Sequence, residues 1–200
     1  MIKNIIFDFG DVLINLDKPA TARAMLPFGF SGITPSLDQL FKDYEKGLMG
    51  SSEFLDEVSS HFPDANREYL IQSWNAILLD FPEERLQFLE NLSLENEYKL
   101  LLLSNTNDLH MESVRQQIGM ERYNRFKNVF DVFYLSYEIG MRKPDEEIFQ
   151  FVLDENGLIA EETFFVDDVQ ENTVAAAGLG IKVWNLRVGQ EDITQLKSRL

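Results

Sequence analysis

Four short stretches carry side chains of types that could do chemistry together. Asp8 closes an apolar run, Ile5-Ile6-Phe7, and is followed at short range by Gly10 and Asp11. Ser104-Asn105-Thr106-Asn107 closes a second run, Leu100-Leu101-Leu102-Leu103, and Arg142-Lys143-Pro144 follows a third. Asp167-Asp168 closes a fourth, Phe164-Phe165-Val166. Carboxylates from 8, 167 and 168 would repel one another unless a cation sat among them. An all-oxygen donor set favours Mg²⁺, which keeps several waters and pairs with phosphate. Asp8 would then attack phosphorus and form an aspartyl-phosphate. Ser104, the backbone N–H groups of Asn105 and Thr106, and the Lys143 charge would hold the phosphoryl oxygens.

These residues need a scaffold that brings four chain segments to one place. Five runs have strand length: Ile5–Phe9, Lys99–Leu103, Val132–Leu135, Thr163–Val166 and Ile181–Trp184. Leu100 to Leu103 is apolar at every position, as expected of a strand covered on both faces. Helical stretches, Asp108–Gln117, Pro144–Glu155 and Glu171–Ala177, separate the later runs. The alternation predicts an α/β fold, a doubly wound Rossmann-like parallel sheet. In such a sheet, ligands bind beyond the carboxyl ends of the strands, where all four polar stretches fall.

About ninety residues without a comparable strand lie between the first and second runs. Thr34-Pro35 reads as an N-cap with proline at the first helical position, opening Ser36–Lys46. Ser51-Ser52 opens a second helix. Asp64 precedes a third, with Leu70, Ile71, Trp74, Ile77 and Leu78 at helical spacing, and Pro82 starts a fourth. The division expected is a core of residues 1–16 and 81–200, with a helical insert of residues 17–80 above the strand ends. In the insert, Trp74, Phe28, Phe30 and Tyr44 read as packing residues. Residues 46–50, with two glycines, read as a candidate specificity loop.

Composition removes several classes. The 200 residues carry 34 acidic and 18 basic side chains, a net charge of -16, which disfavours nucleic acid and anionic membranes as partners. There is no cysteine, so thiolate metal sites and disulfides are excluded, and the two histidines, His61 and His110, leave little for imidazole-based sites. No apolar run is long enough to span a bilayer, and residues 1–8 lack a leader's apolar region. The expectation is a cytoplasmic protein, monomeric or a weak homodimer.

In order and type, the four stretches resemble the signature motifs of the haloacid dehalogenase-like hydrolase superfamily. There an apolar run ends in an aspartate, a second in Ser/Thr-Asn, a Lys-Pro turn follows, and a last run ends in two aspartates. The resemblance spans nearly the whole chain, and residues 17–80 resemble a C1-type cap. Gly140-Met141-Arg142-Lys143-Pro144 and the Asp-x-Gly start look closest to sugar-phosphate phosphatases of the α-D-glucose-1-phosphate phosphatase branch. The resemblance implies Asp8 as nucleophile and Mg²⁺ ligand. It also implies metal contacts from the Gly10 carbonyl, Asp168 and the neighbouring Asp167, with Asn172 bracing the metal loop. Ser104 and Lys143 would be the catalytic phosphate-holding pair, with Asn105 and Thr106 beside them. The substrate implied is a small phosphorylated metabolite such as glucose 1-phosphate.

One departure stands out. The family's usual general acid/base lies two residues after the nucleophile, and here that residue is Gly10. Losing such a group typically costs about a hundredfold to ten-thousandfold in rate. Asp11 could reach in through an altered loop, a cap residue or water could substitute, or an anomeric leaving group could need little help. Two other functions also remain: a metal-independent 2-haloacid dehalogenase, and a catalytically weak metabolite-binding module.

Overall fold

The computed structural model describes residues 1–200. Five parallel strands form one sheet: β1 (Asn4–Phe7), β2 (Lys99–Ser104), β3 (Val132–Leu135), β4 (Thr163–Asp167) and β5 (Lys182–Asn185), in the order β3-β2-β1-β4-β5. β1 is central, with Ile5 opposite Leu100 on one side and Phe164 on the other. Successive side chains of a strand face opposite ways. Ile5 and Phe7 therefore join one apolar layer with Leu100, Leu102 and Val166, and Ile6 joins the other with Leu101, Leu103 and Phe165. The first layer is covered by α5 (Glu83–Glu95) and α6 (Asp108–Lys127), the second by α8 (Glu146–Asn156) and α9 (Gln170–Gly178). Continuous apolar runs are the consequence of this two-sided burial.

Between β1 and α5 lie α1 (Ala20–Met25), α2 (Pro35–Glu45), α3 (Ser51–His61) and α4 (Arg67–Asn75). They enclose their own apolar cluster, including Met25, Leu37, Tyr44, Phe54 and Leu70, and Leu109 of α6 joins it. The Thr34 hydroxyl accepts from the Leu37 N–H at 3.3 Å and starts α2. A further short helix, α7 (Ser136–Ile139), follows β3. No helix is long and apolar enough to cross a membrane.

Several boundaries differ from expectation. β1 ends at Phe7, so Asp8 and Phe9 already belong to the loop. β5 is displaced by one residue, and α6 continues past Gln117 through a break at Gly119, whose φ is +77°. α4 stops at Asn75. Ile77 and Leu78 instead return to the sheet's first apolar layer, where Leu16 and Leu78 form an antiparallel bridge. Helical spacing alone could not separate the two outcomes, because both bury the same side chains. α1 and α7, of 6 and 4 residues, are too short to leave a periodic pattern.

Candidate active site

The sheet order places the ends of β2, β1 and β4 side by side, and this brings the four polar stretches together. Asp8 leads a tight loop in which the Phe9 carbonyl accepts from both the Leu13 and Ile14 N–H groups, at 2.9 and 3.0 Å. Asp167 is the last residue of β4 and Asp168 follows it. Lys143 arrives from the loop after α7, next to a cis Lys143–Pro144 peptide. The ligand oxygens of Asp8, Asp167 and Asp168 lie within 4.8 Å of one another.

Lys143 is the hub. Its side chain is 1% exposed, and Nζ donates to Asp8 Oδ1 at 2.6 Å, Asp167 Oδ2 at 2.7 Å and the Leu103 carbonyl at 2.8 Å. Those three bonds use all of an ammonium's donors. Asn105 fixes the lysine's backbone: its amide oxygen accepts from the Lys143 N–H at 2.9 Å, and its amide nitrogen donates to the Lys143 carbonyl at 2.8 Å. Burial pushes the Asp8 carboxyl up, to about 7, with Asp167 adding to the rise and Lys143 opposing it. The two acids hold the Lys143 ammonium charged against its own burial.

The remaining acids divide by accessibility. Asp167 is wholly buried and accepts three bonds: Oδ2 accepts from Lys143 and from Asn172 Nδ2 at 2.9 Å, and Oδ1 from the Val169 N–H at 2.7 Å. Asp168 borders the cavity and is ion-paired with Lys18. Burial raises its carboxyl, and Lys18 opposes that. Gly10 borders the same space, and its carbonyl accepts one bond, from the Val12 N–H at 2.7 Å. It keeps a second lone pair. An oxygen-only set of this kind fits a hard divalent cation, with Asp8, Asp168 and the Gly10 carbonyl facing the open side and Asp167 behind them.

These groups surround a cavity of about 240 Å³. Ser104, Asn105 and Thr106 line it. The Ser104 hydroxyl has only a long contact, 3.5 Å, with the Asn105 carbonyl, and the Asn105 N–H is bonded to no protein atom. Thr106 corrects the sequence reading. Its N–H donates to Ser136 Oγ at 2.9 Å, and its carbonyl accepts from that hydroxyl at 3.0 Å. Its backbone donor is therefore spent on α7. Asp11 also turns away from the cavity: with φ at +55°, it accepts from the Leu16 N–H at 3.0 Å and pairs with Lys18 at 3.0 Å. The loop as folded does not bring Asp11 to the cavity wall.

Three features escaped the sequence. Lys18 and Glu45 reach the cavity from the segment between β1 and α5, and Glu45 holds Arg142 at 3.0 Å. Arg142 is thus neither solvated nor paired with Asp167. His110 also lines the cavity. It accepts from Asn107 Nδ2 at 3.1 Å and donates to the Trp74 carbonyl at 3.2 Å, because Asn107 Oδ1 is occupied by the His110 N–H and Trp74 Nε1. Burial pushes the imidazole down to about 4, so it is neutral. His61 is exposed, and Tyr44 stacks on Phe54 within the helical cluster. No local pattern announces Lys18 or Glu45, since each is one charge among many on a helical or loop surface.

Comparison with known proteins relates nearly the whole chain to one family of hydrolases. The profile of the haloacid dehalogenase-like hydrolases matches residues 2–180. A D-ribitol-5-phosphate phosphatase from Bacteroides thetaiotaomicron is 29% identical over 96% of this chain and 95% of its own. The crystal structure of a HAD family enzyme from the same organism, in complex with magnesium and inorganic phosphate, superposes with a TM-score of 0.83 at 36% identity, covering 96% of this chain and 97% of that one. A predicted HAD-like family hydrolase from Porphyromonas gingivalis superposes with a TM-score of 0.83 at 30% identity, over 100% and 98% of the two chains.

Proposed function

The chain belongs to the haloacid dehalogenase-like hydrolase family, and from that premise we propose a Mg²⁺-dependent phosphatase of small phosphorylated metabolites working through Asp8. The observation that carries this reading is the buried Asp8–Lys143–Asp167 cluster beside the cavity-facing Asp168. A 2-haloacid dehalogenase needs no cation and no second acid pair. The likeness to a phosphatase over almost the full length of both chains supports the same choice.

In the proposed reaction Lys143 holds Asp8 Oδ1, leaving Oδ2 to attack phosphorus while the ester P–O bond breaks. The phosphoryl group is transferred to the Asp8 carboxylate, and water then releases it. Bound Mg²⁺ supplies charge that neutralises the phosphoryl oxygens and the acids around them. The Ser104 hydroxyl and the Asn105 N–H donate to phosphoryl oxygens, and Asn105 keeps Lys143 in register. Asp167 orients Lys143 and Asn172 from behind. Neither Gly10 nor Asp11 offers a proton to the leaving oxygen, so the site suits an alcohol that leaves easily or one protonated through water. Residues 17–80 act as a lid that excludes bulk water while Asp8 attacks. The finer reading is a polyhydroxylated ester, with glucose 1-phosphate and ribitol 5-phosphate the first to test.

The experiment is phosphate release from a panel of small phosphomonoesters with Mg²⁺, with EDTA, and with Asp8→Asn. Release should need Mg²⁺ and fall by at least about a thousandfold in Asp8→Asn. Release unaffected by both changes would remove Asp8 and the metal from the reaction. Chloride release from 2-chloropropionate without metal would instead establish the dehalogenase.

A further inference from the structure

Two charged side chains of the insert border the catalytic cavity, Lys18 and Glu45. Lys18 is committed to Asp168 and Asp11. Glu45, at the last position of α2, is held differently. Nε of Arg142 donates to its Oε2 at 3.0 Å, Nη2 pairs with the same oxygen across 3.0 Å, and its Oε1 has no protein partner. Only 25% of the side chain is exposed. The insert's other contributions to the cavity wall, Ile77 and Leu78, and the neighbouring Leu16 are apolar and offer Oε1 nothing. The donors at the cavity floor, Ser104 and the Asn105 N–H, belong with phosphate in the reading above.

A ligand that fills this cavity strips water from Oε1. It must then bring a donor of its own or leave a charged acceptor unsatisfied. Hydroxyl groups meet that need, bare alkyl chains do not, and a second carboxylate would add repulsion. Arg142 keeps the carboxylate in place from the rear, so the acceptor is preorganised. Burial raises the Glu45 carboxyl, and Arg142 opposes that rise.

We propose that Glu45 is a specificity residue whose Oε1 accepts hydrogen bonds from hydroxyl groups of the leaving alcohol. It selects phosphomonoesters of neutral polyhydroxy alcohols over those of plain alkyl alcohols and of hydroxy acids. The proposal rests on the phosphatase reading and adds the residue that would select hydroxylated esters. One charge-assisted hydrogen bond is worth roughly tenfold to a hundredfold in discrimination.

The test measures kcat/KM for ribitol 5-phosphate, n-pentyl phosphate and p-nitrophenyl phosphate in the wild type, Glu45→Gln and Glu45→Ala. The first two share chain length and a poorly leaving alcohol and differ in hydroxyl groups. The wild type should prefer the ribitol ester by at least tenfold, and Glu45→Ala should bring that ratio close to one. Glu45→Gln keeps an acceptor and should retain part of it. It should also raise the rate on 3-phosphoglycerate relative to glycerol 3-phosphate, since the repelling charge is gone. Equal losses on the ribitol and pentyl esters would overturn the proposal and make Glu45 a clasp or a proton donor. A wild-type ratio near one would overturn it as well. If p-nitrophenyl phosphate gives no Asp8-dependent release, the phosphatase reading falls and this proposal with it. Asp8-dependent release with an unchanged ratio removes only the role of Glu45.

Discussion

Two lysines neutralise the acids of this site, one at the floor of the cavity and one at its mouth, and they differ in almost every physical respect. Lys143 is 1% exposed and spends all three donors on Asp8, Asp167 and a carbonyl. Lys18 is 51% exposed and pairs with Asp168 and Asp11. At the floor, removing one charge leaves partners that water cannot reach. At the mouth, water replaces a lost partner and salt screens the pair. The same residue type therefore makes a fixed, fully bonded element in one place and an adjustable counter-charge in the other.

The comparison breaks most readily at Lys143. Lys143→Met should abolish phosphate release and, by leaving Asp8 and Asp167 without their cation, destabilise the fold by about 3–5 kcal/mol. For a chain of this size that is a fall in Tm on the order of 10 °C. A Tm within 2 °C or so of wild type would mean that water reaches the floor in solution.

The pH dependence comes next in size. Asp8 is raised to about 7 from an ordinary value of 3.8. Between those values the folded protein holds a proton that the unfolded chain has released. The contribution of Asp8 to stability is thus present at low pH and declines as pH rises from about 4 to about 7. Nucleophilic attack needs the ionised form, so in the metal-free protein the Asp8 carboxylate becomes available as pH rises through that upper value. Carbon-13 NMR of aspartate carboxyls in metal-free protein should show one group titrating near 7, absent in Asp8→Asn, and moved down by Mg²⁺. Titration of every aspartate below pH 5 without metal would contradict the burial argument.

Lys18 should give the smallest effect and sharpen the contrast. Lys18 is half-exposed, and its loss opens the less exposed Asp11 and Asp168 to water, so the pairing contributes about 0–1 kcal/mol and Lys18→Met should move Tm by no more than about 3 °C. Calorimetric titration should show Mg²⁺ binding more tightly to this variant, because the ammonium no longer occupies Asp168. A stability loss equal to that of Lys143→Met would erase the difference between floor and mouth.

Much of this was legible residue by residue. Leu100 to Leu103 announces a strand buried on both faces because a parallel sheet covers every side chain. Thr34-Pro35 announces a helix start because capping is local. Asp8, Ser104, Lys143, Asp167 and Asp168 were legible because the architecture puts strand ends in one place. Thr106 was misread: whether its N–H faces a ligand or Ser136 depends on α7, an element of 4 residues with no pattern to read. Ile77 and Leu78 were misplaced for a related reason, since their apolar character suits either the end of α4 or the return to the sheet.

The sequence by itself determined the strand order in time, the two-sided core and the polar residues at the strand ends, because those depend on periodicity and on nearest neighbours. Only the tertiary structure decided which polar atoms were already satisfied and which were left for a ligand. Asp167 is closed by three donors, Asp11 is turned to Leu16 and Lys18, and Glu45 is held by Arg142, 97 residues away in the chain. A hydrogen bond is made by distance and direction, and partners that far apart in sequence acquire both only when the chain has folded.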